Sequence, residues 1–383
     1  LFDVATKQLS KKVEVLNEQD ISNTLWACAK LGHNSTEIFG ATSQSIPKRL
    51  DEFTPQGISN VLWAYATLDI ASPNLFDAIA HSAIDKLPKF SSQDIANSLW
   101  AYAKLGHESP QFFNAATQSS IKRLREFSSQ HIAKSLWAHA KLDYNSPEFF
   151  DAVAAWTEKK FQTFNSQDIG KILLAYAKLG HKAPYLFETA KQTVIKKLPT
   201  FSLQNIVETL WAYATLGHDA PALFKEASRF VSGKLKTFNP KSLAVLLWSY
   251  AKLDNDAPEL FDVATVSITK KLPAFSAQDI SNVMWAYATL GYSAPKLFDA
   301  VMDTVIKKLS QFSSEELSKT LWSFAALDYN APTLFDAAIP MVIKNLPDLS
   351  SKNIAETLWA YSKLNHPAPD LFNAAADSAI EDC

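Results

Sequence analysis

The sequence predicts an all-α protein, a right-handed α-solenoid of about ten two-helix repeats of 37 residues. Two observations predict it. The first is a fixed period: Trp26, Trp63, Trp100, Trp137, Trp211, Trp248, Trp285, Trp322 and Trp359 share one register, Leu174 fills the one remaining place, and no insertion or deletion disturbs the spacing of 37. A period of this length is that of units that bury their apolar faces only by stacking on one another. The second is the content of each period, two amphipathic segments with start and stop signals at constant offsets. The chain is 47% apolar and 20% charged, carries a formal charge of −2, and has no apolar run long enough to cross a bilayer. Cys28 and Cys383 are too few for a disulfide framework.

Residues 90–127 serve as the specimen repeat. Ser91 and Asp94 have capping-box spacing at the start of a first helix, A, expected to run to about Leu105. Gly106 follows in the place where a helix ends with a left-handed residue. That place holds Gly at 32, 106, 180, 217 and 291 and otherwise Asp69, Asp143, Asp254, Asp328 or Asn365, the side chains that best tolerate the conformation. Ser109-Pro110 then opens a second helix, B, with Pro at the first helical position, and B is expected to reach about Leu124. In helix A, Ile95, Leu99, Tyr102, Ala103 and Leu105 fall on the core side, and Gln93, Asp94, Asn97, Ala101 and Lys104 opposite, with the Trp on the border. Phe112, Phe113, Ala116, Ile121 and Leu124 form the apolar stripe of B. Lys pairs late in B (Lys270-Lys271, Lys307-Lys308) complement its dipole. Pro47 is expected to end the first helix B early, and Pro340 to kink the ninth.

The domain reading is a single array over 1–383. Residues 1–13 match the second helix of a truncated repeat, 14–383 hold ten repeats of 37 residues, and both ends fall in mid-pattern, as in a fragment of a longer protein.

Catalysis has no candidates. Five histidines (33, 107, 181, 218, 366) recur in the A–B turn. One per repeat, they stand too far apart to share a metal held at about 2 Å. No phosphate-binding Gly loop, Cys pair or nucleophile elbow is present. The expectation is therefore no enzyme, no cofactor, no metal, no small-molecule substrate and no membrane partner.

The polar side of helix A is the candidate binding surface. Six residues before the Trp stand Asp20, Asp94, His131, Asp168, Asn205, Asp279, Glu316 and Asn353, with Gly57 and Ser242 in the other repeats. Three before stand Asn23, Asn60, Asn97, Lys134, Lys171, Glu208, Asn282, Lys319 and Glu356, with Val245. Four after stand Lys30, Lys104, Lys141, Lys178, Lys252 and Lys363. Asn and Asp suit base edges, and Lys suits phosphate. The three rows hold nine Lys and seven acids, slightly basic on a slightly acidic chain. The residue after the Trp is always Ala or Ser, small enough for a flat group or a backbone to come close. The Trp series itself reads as core packing rather than as a stacking ladder for bases.

The segments Ser-x-Gln-Asp-Ile-x-Asn-x-Leu-Trp-Ala-Tyr-Ala-Lys-Leu-Gly (91–106) and Ser-Pro-x-Phe-Phe (109–113) resemble heptatricopeptide-type and octotricopeptide repeats, which are similar to those of FAST-kinase-like proteins that carry a RAP domain. The period favours the 37-residue type, and neither the Pro-Pro-Pro-Glu-Trp element nor a RAP domain is present. The resemblance implies sequence-preferring binding of single-stranded RNA in a mitochondrion or chloroplast, for RNA processing, stability, translation or ribosome assembly. Under it the six-before and three-before residues would select bases and the four-after Lys would hold phosphate. The targeting segment would lie outside this chain. The alternative is a protein-binding scaffold or structural subunit of a large ribonucleoprotein assembly, which the near-neutral charge favours.

Overall fold

The computed structural model describes residues 2–158 and 160–381, and among them every regular element is helical. The chain forms two units, residues 1–193 and 194–383. Each is a stack of the two-helix repeats.

In the first unit α1 (Phe2–Ser10) precedes five A–B pairs. These are α2 (Glu18–Lys30) with α3 (Thr36–Ser45), α4 (Pro55–Thr67) with α5 (Pro73–Lys86), and α6 (Ser92–Leu105) with α7 (Pro110–Lys122). Next come α8 (Ser129–Lys141) with α9 (Pro147–Thr157), and α10 (Ser166–Lys178) with α11 (Pro184–Lys197), in which the division between units falls. The second unit continues with α12 (Leu203–Leu216) and α13 (Pro221–Val231), then α14 (Pro240–Lys252) and α15 (Pro258–Lys271). It ends with α16 (Ala277–Thr289) and α17 (Pro295–Lys308), α18 (Ser314–Ala326) and α19 (Pro332–Asn345), and α20 (Ser351–Lys363) and α21 (Pro369–Glu381). None of the described helices is long and apolar enough to cross a membrane.

Local chemistry sets the bounds. Ser91 Oγ accepts from Asp94 N at 3.2 Å and Asp94 Oδ2 accepts from Ser91 N at 3.0 Å, the reciprocal cap expected. All ten residues after helix A have positive φ, from 50° at Asn365 to 72° at Gly217. Pro stands at the start of every helix B but α3, where Thr36 replaces it. Pro47 follows the short α3 in a tight turn, Ile46–Lys48, as its missing N–H requires. Pro340 lies inside α19, which continues through it, with the residue on the exposed side of the helix.

The A helices of each unit pack directly on one another, α2 through α10 in the first and α12 through α20 in the second, more intimately than the B helices do. A repeated bond ties six of the A helices to the B before them. Tyr102 Oη donates to the Phe76 carbonyl at 2.7 Å, and Tyr65, Tyr176, Tyr250, Tyr287 and Tyr361 do the same to Phe39, Phe150, Phe224, Phe261 and Phe335. These tyrosines and phenylalanines are buried and meet edge to face.

The cations late in helix B do more than answer its dipole. Lys86 Nζ donates to the carbonyls of Leu50 and Phe53, Arg123 Nη1 to Phe90, Lys271 Nζ to Phe238 and Lys308 Nζ to Phe275, so each closes the turn that ends the preceding repeat. The turn histidines also join repeats. His107, His181 and His366 meet Asp77, Asp151 and Asp336 through Nε2 at 2.8–2.9 Å, and in repeat nine Tyr329 donates to Asp299 from the same place.

Candidate nucleic-acid interface

The six-before row occupies the third position of helix A, and the structure commits it largely to capping. Asp94, Asp279 and Glu316 accept from the backbone N–H of Ser91, Ser276 and Ser313. The backbone N–H groups of Asp20, Asn205 and Asn353 donate to the cap side chains of Asn17, Ser202 and Ser350. Asp168 is 4% exposed and accepts from Ser129 Oγ at 2.6 Å and Asn165 Nδ2 at 2.8 Å. His131 Nδ1 lies 3.1 Å from Ser92 Oγ; burial, reinforced by nearby Lys134, pushes its pKa down. Asp94, Asp279 and Glu316 thus have their carboxylates engaged in capping and Asp168 in a bond to the preceding repeat, while Asp20, Asn205 and Asn353 take part in capping through their backbone only.

The other two rows do reach the surface. Asn23 is exposed, and Asn60, Asn97, Lys134, Lys171, Glu208, Asn282, Lys319 and Glu356 are half-buried on one side of the A helices. Lys134 Nζ donates to Asn97 Oδ1 of the preceding repeat at 2.7 Å, and burial, with Lys171 beside it, holds its pKa below the usual lysine range. Lys30, Lys104, Lys141, Lys178, Lys252 and Lys363 are all exposed. Two of them face a carboxylate: Lys104 and Lys363 pair at 2.7 and 2.8 Å with Asp69 and Asp328, the positive-φ residues one repeat back. Lys30 Nζ instead lies 5.3 Å from the ring centroids of both Trp26 and Trp63.

The small residue after the Trp has a different purpose from the one expected. Ala64, Ala101, Ala138, Ala175, Ala212, Ser249, Ala286, Ser323 and Ala360 are buried, because adjacent A helices close over them. Smallness there lets helix approach helix, not ligand approach helix. The Trp rings are half-buried rather than core residues, and Trp26 and Trp359 are 42% and 44% exposed. Trp26 and Trp63, Trp248 and Trp285, and Trp322 and Trp359 lie with centroids 6.4 Å apart. They pack on one another while keeping an edge on the polar face.

One row escaped the sequence reading. Seven residues before the Trp stand Gln19, Gln56, Gln93, Gln130, Gln167, Gln204, Lys241, Gln278, Glu315 and Lys352, all exposed. At about 100° per residue this position lies within about 20° of the Trp, whereas the six-before position lies about 120° away. Measuring each row's angle from the Trp would have found it. The outward surface is therefore the seven-before, three-before and four-after rows, with indole edges between them. In the first unit these rows hold six Lys and no carboxylate; in the second they hold five Lys and three Glu. Two of those glutamates are engaged, Glu208 with Gln204 and Glu356 with Lys352.

These features define a helical-repeat protein, an α-solenoid whose A helices present a row of amide, indole and ammonium groups. The chain belongs to the family described as RNA-editing substrate-binding complex 6 protein, which it matches over residues 3–103, 96–254 and 210–370. The match supports a helical-repeat family of the kind the repeat resembles, without singling out the heptatricopeptide or octotricopeptide type. Similar solved structures include a homology model of the full-length AP-3 complex in an intermediate open conformation, 11% identical over 94% of this chain and 71% of that one, with a TM-score of 0.29. Another is the crystal structure of the pentatricopeptide repeat protein PPR10 from maize, 12% identical over 98% of this chain and 70% of that one, with a TM-score of 0.25. No curated protein matches the chain.

Proposed function

We propose that the chain binds single-stranded RNA along the outward row of its A helices, as a non-catalytic subunit of an RNA-processing assembly in the mitochondrion. The observation that carries this reading is the row of the first unit: five exposed Gln, three Asn and six Lys, with no carboxylate in the same three rows. Gln and Asn present donors and acceptors to base edges, Lys presents charge to phosphate, and indole edges offer apolar contact. Membership of a family named for an RNA-editing substrate-binding complex supports it. A net charge of −2 does not oppose it, since binding depends on how charge is distributed over a face. Association with protein subunits is part of the same reading. Tyr185 is 81% exposed at the start of α11, and Val263 and Val266 are exposed on α15, apolar groups on B helices that a partner would cover.

The test is fluorescence anisotropy with a labelled 15-nucleotide RNA of randomised sequence between 50 and 300 mM salt. Binding should weaken linearly in log–log form, and duplex RNA of equal length should compete poorly. Absence of binding at 50 mM salt would refute the reading.

A further inference from the structure

Leu174 is where the Trp series is interrupted, and the surroundings of that interruption are the most basic on the A face. It lies on α10, which packs against α8. Those two adjacent helices supply Lys134 and Lys171 at the three-before position and Lys141 and Lys178 at the four-after position. Among the described residues no carboxylate lies within ion-pairing distance of any of the four, unlike Lys104 and Lys363. Asp168, the nearest acid in sequence to Lys171, is buried and bonded to Ser129 and Asn165. Helices packed side by side stand about 8–10 Å apart, so four like charges share a small patch. Asp168 still draws on Lys134, and Asp143 holds toward Lys178 the place that Asp69 and Asp328 hold toward Lys104 and Lys363, so four cations stand against two carboxylates and keep a positive excess that favours an anion arriving from outside. Trp137 stands beside them on α8, half-buried, with no aromatic ring against it among the described residues. At the same position on α10, Leu174 offers a smaller side chain where other A helices present an indole.

We propose that this patch is the anchoring site of the RNA strand, with phosphates of consecutive nucleotides on Lys134, Lys141, Lys171 and Lys178 and one base laid on Trp137 over Leu174. The site rests on the RNA-binding reading above and adds to it a place of strongest binding. The amides Gln130 and Gln167 flank it on the same two helices, exposed and free to address base edges. An acidic protein segment would satisfy the lysines, but it lacks the flat bases that an open indole face stacks.

The experiment uses the full chain and the labelled 15-nucleotide RNA. In the triple variant Lys141→Gln, Lys171→Gln, Lys178→Gln, the slope of log affinity against log salt should fall by about 2, at about 0.7 for each phosphate no longer neutralised. Affinity at 100 mM salt should drop at least tenfold, and the corresponding triple Arg variant should recover it. The control triple Lys30→Gln, Lys104→Gln, Lys252→Gln removes the same charge elsewhere on the face and should cost less than a third as much. Leu174→Trp should weaken binding several-fold without changing the salt slope, since it fills the space for a base and removes no cation. If the glutamine triple loses its helical circular dichroism, Leu174→Trp decides alone. Equal losses in the two triples, or no effect of Leu174→Trp, would overturn the anchoring site while leaving RNA binding intact. Absence of RNA binding by the unaltered chain would remove the broader reading as well. Tighter binding of poly-glutamate than of RNA would assign the patch to an acidic protein partner and overturn the proposal.

Discussion

His139 replaces the buried Tyr of its repeat, and replacing it by Tyr should abolish an acid sensitivity that the structure builds in. Its ring is wholly buried. Nδ1 donates to the Ser135 carbonyl at 2.7 Å, which leaves Nε2 to accept from Thr117 Oγ1 at 2.9 Å. Phe113, Phe149, Phe150 and Tyr144 surround it. Burial outweighs the bond to Ser135 and brings its pKa down to about 4. An exposed His in the unfolded chain titrates near 6.5. Between those values the unfolded chain takes up a proton that the folded chain refuses, so stability is complete above about pH 6.5 and declines as pH falls toward about 4. The gap of about 2.5 units corresponds to about 3 kcal/mol at full effect, of which about 1 is lost by pH 5.5 and between 2 and 3 by pH 4.5.

His139→Tyr places a hydroxyl where six other repeats have one bonded to a Phe carbonyl, here that of Phe113. Urea unfolding followed by circular dichroism at pH 7.5, 5.5 and 4.5 compares the two proteins under identical conditions. Contributions of all other groups cancel in the difference. The difference in stability should be small at pH 7.5 and widen steadily in favour of His139→Tyr as pH falls. Parallel pH dependence in the two proteins would show that the imidazole is not held neutral, and would refute the assigned acid sensitivity.

Three further outcomes follow from the same geometry. Asp279→Ala removes half of a capping box and should cost about 0.5–1 kcal/mol in thermal unfolding, while RNA affinity measured by anisotropy stays unchanged; a shift in base preference would restore a reading role to the six-before row. Tyr102→Phe should cost only about 1 kcal/mol in urea unfolding, because the Phe76 carbonyl keeps its helical partner and repeat nine already carries Phe324 there; a loss above about 3 would contradict this. Lys141→Ala should weaken RNA binding and flatten its salt dependence by about 0.7, whereas Lys104→Ala should do less, since Lys104 already neutralises Asp69.

Much of the fold could be read from residue types with a local duty. Gly106, Asp69 and Asn365 announce left-handed residues because few other side chains accept positive φ, and all ten such positions have it. Pro110 and its equivalents announce helix starts for the same kind of reason. The site was less legible because its roles depend on how closely helices approach. Ala101 is polar-side by angle yet buried, since the neighbouring A helix lies over it. Asp168 looks like a surface carboxylate in sequence, but it is buried and bonded to Ser129 of the preceding repeat. Trp100 lies between the two environments, and only the packing of α6 on its neighbours shows that it is half-covered. Pro340 is costly inside a helix because it lacks the N–H, and α19 nevertheless continues through it. It stands on the exposed side of α19.

The tight packing of A on A also limits how much each repeat can say to a ligand. Burial of the position after the Trp, and of Ser22, Ser59, Ser281 and Ser318 four before it on the other flank, closes both sides of the helix. What remains is one narrow line down each A helix, seven before, three before, the indole edge and four after. Of these the seven-before place is Gln in seven repeats and the indole is nearly constant, so repeats differ chiefly at the three-before and four-after places. Asn, Lys, Glu and Val share the first; Lys, Thr and Ala share the second. A surface with so few variable side chains per unit can rank sequences only weakly at any one repeat. Discrimination would have to accumulate along the array. The first unit, with Asn in three repeats and Lys in two at the three-before place, is then the stretch with the most uniform chemistry and the one best placed to hold a strand before others sort it.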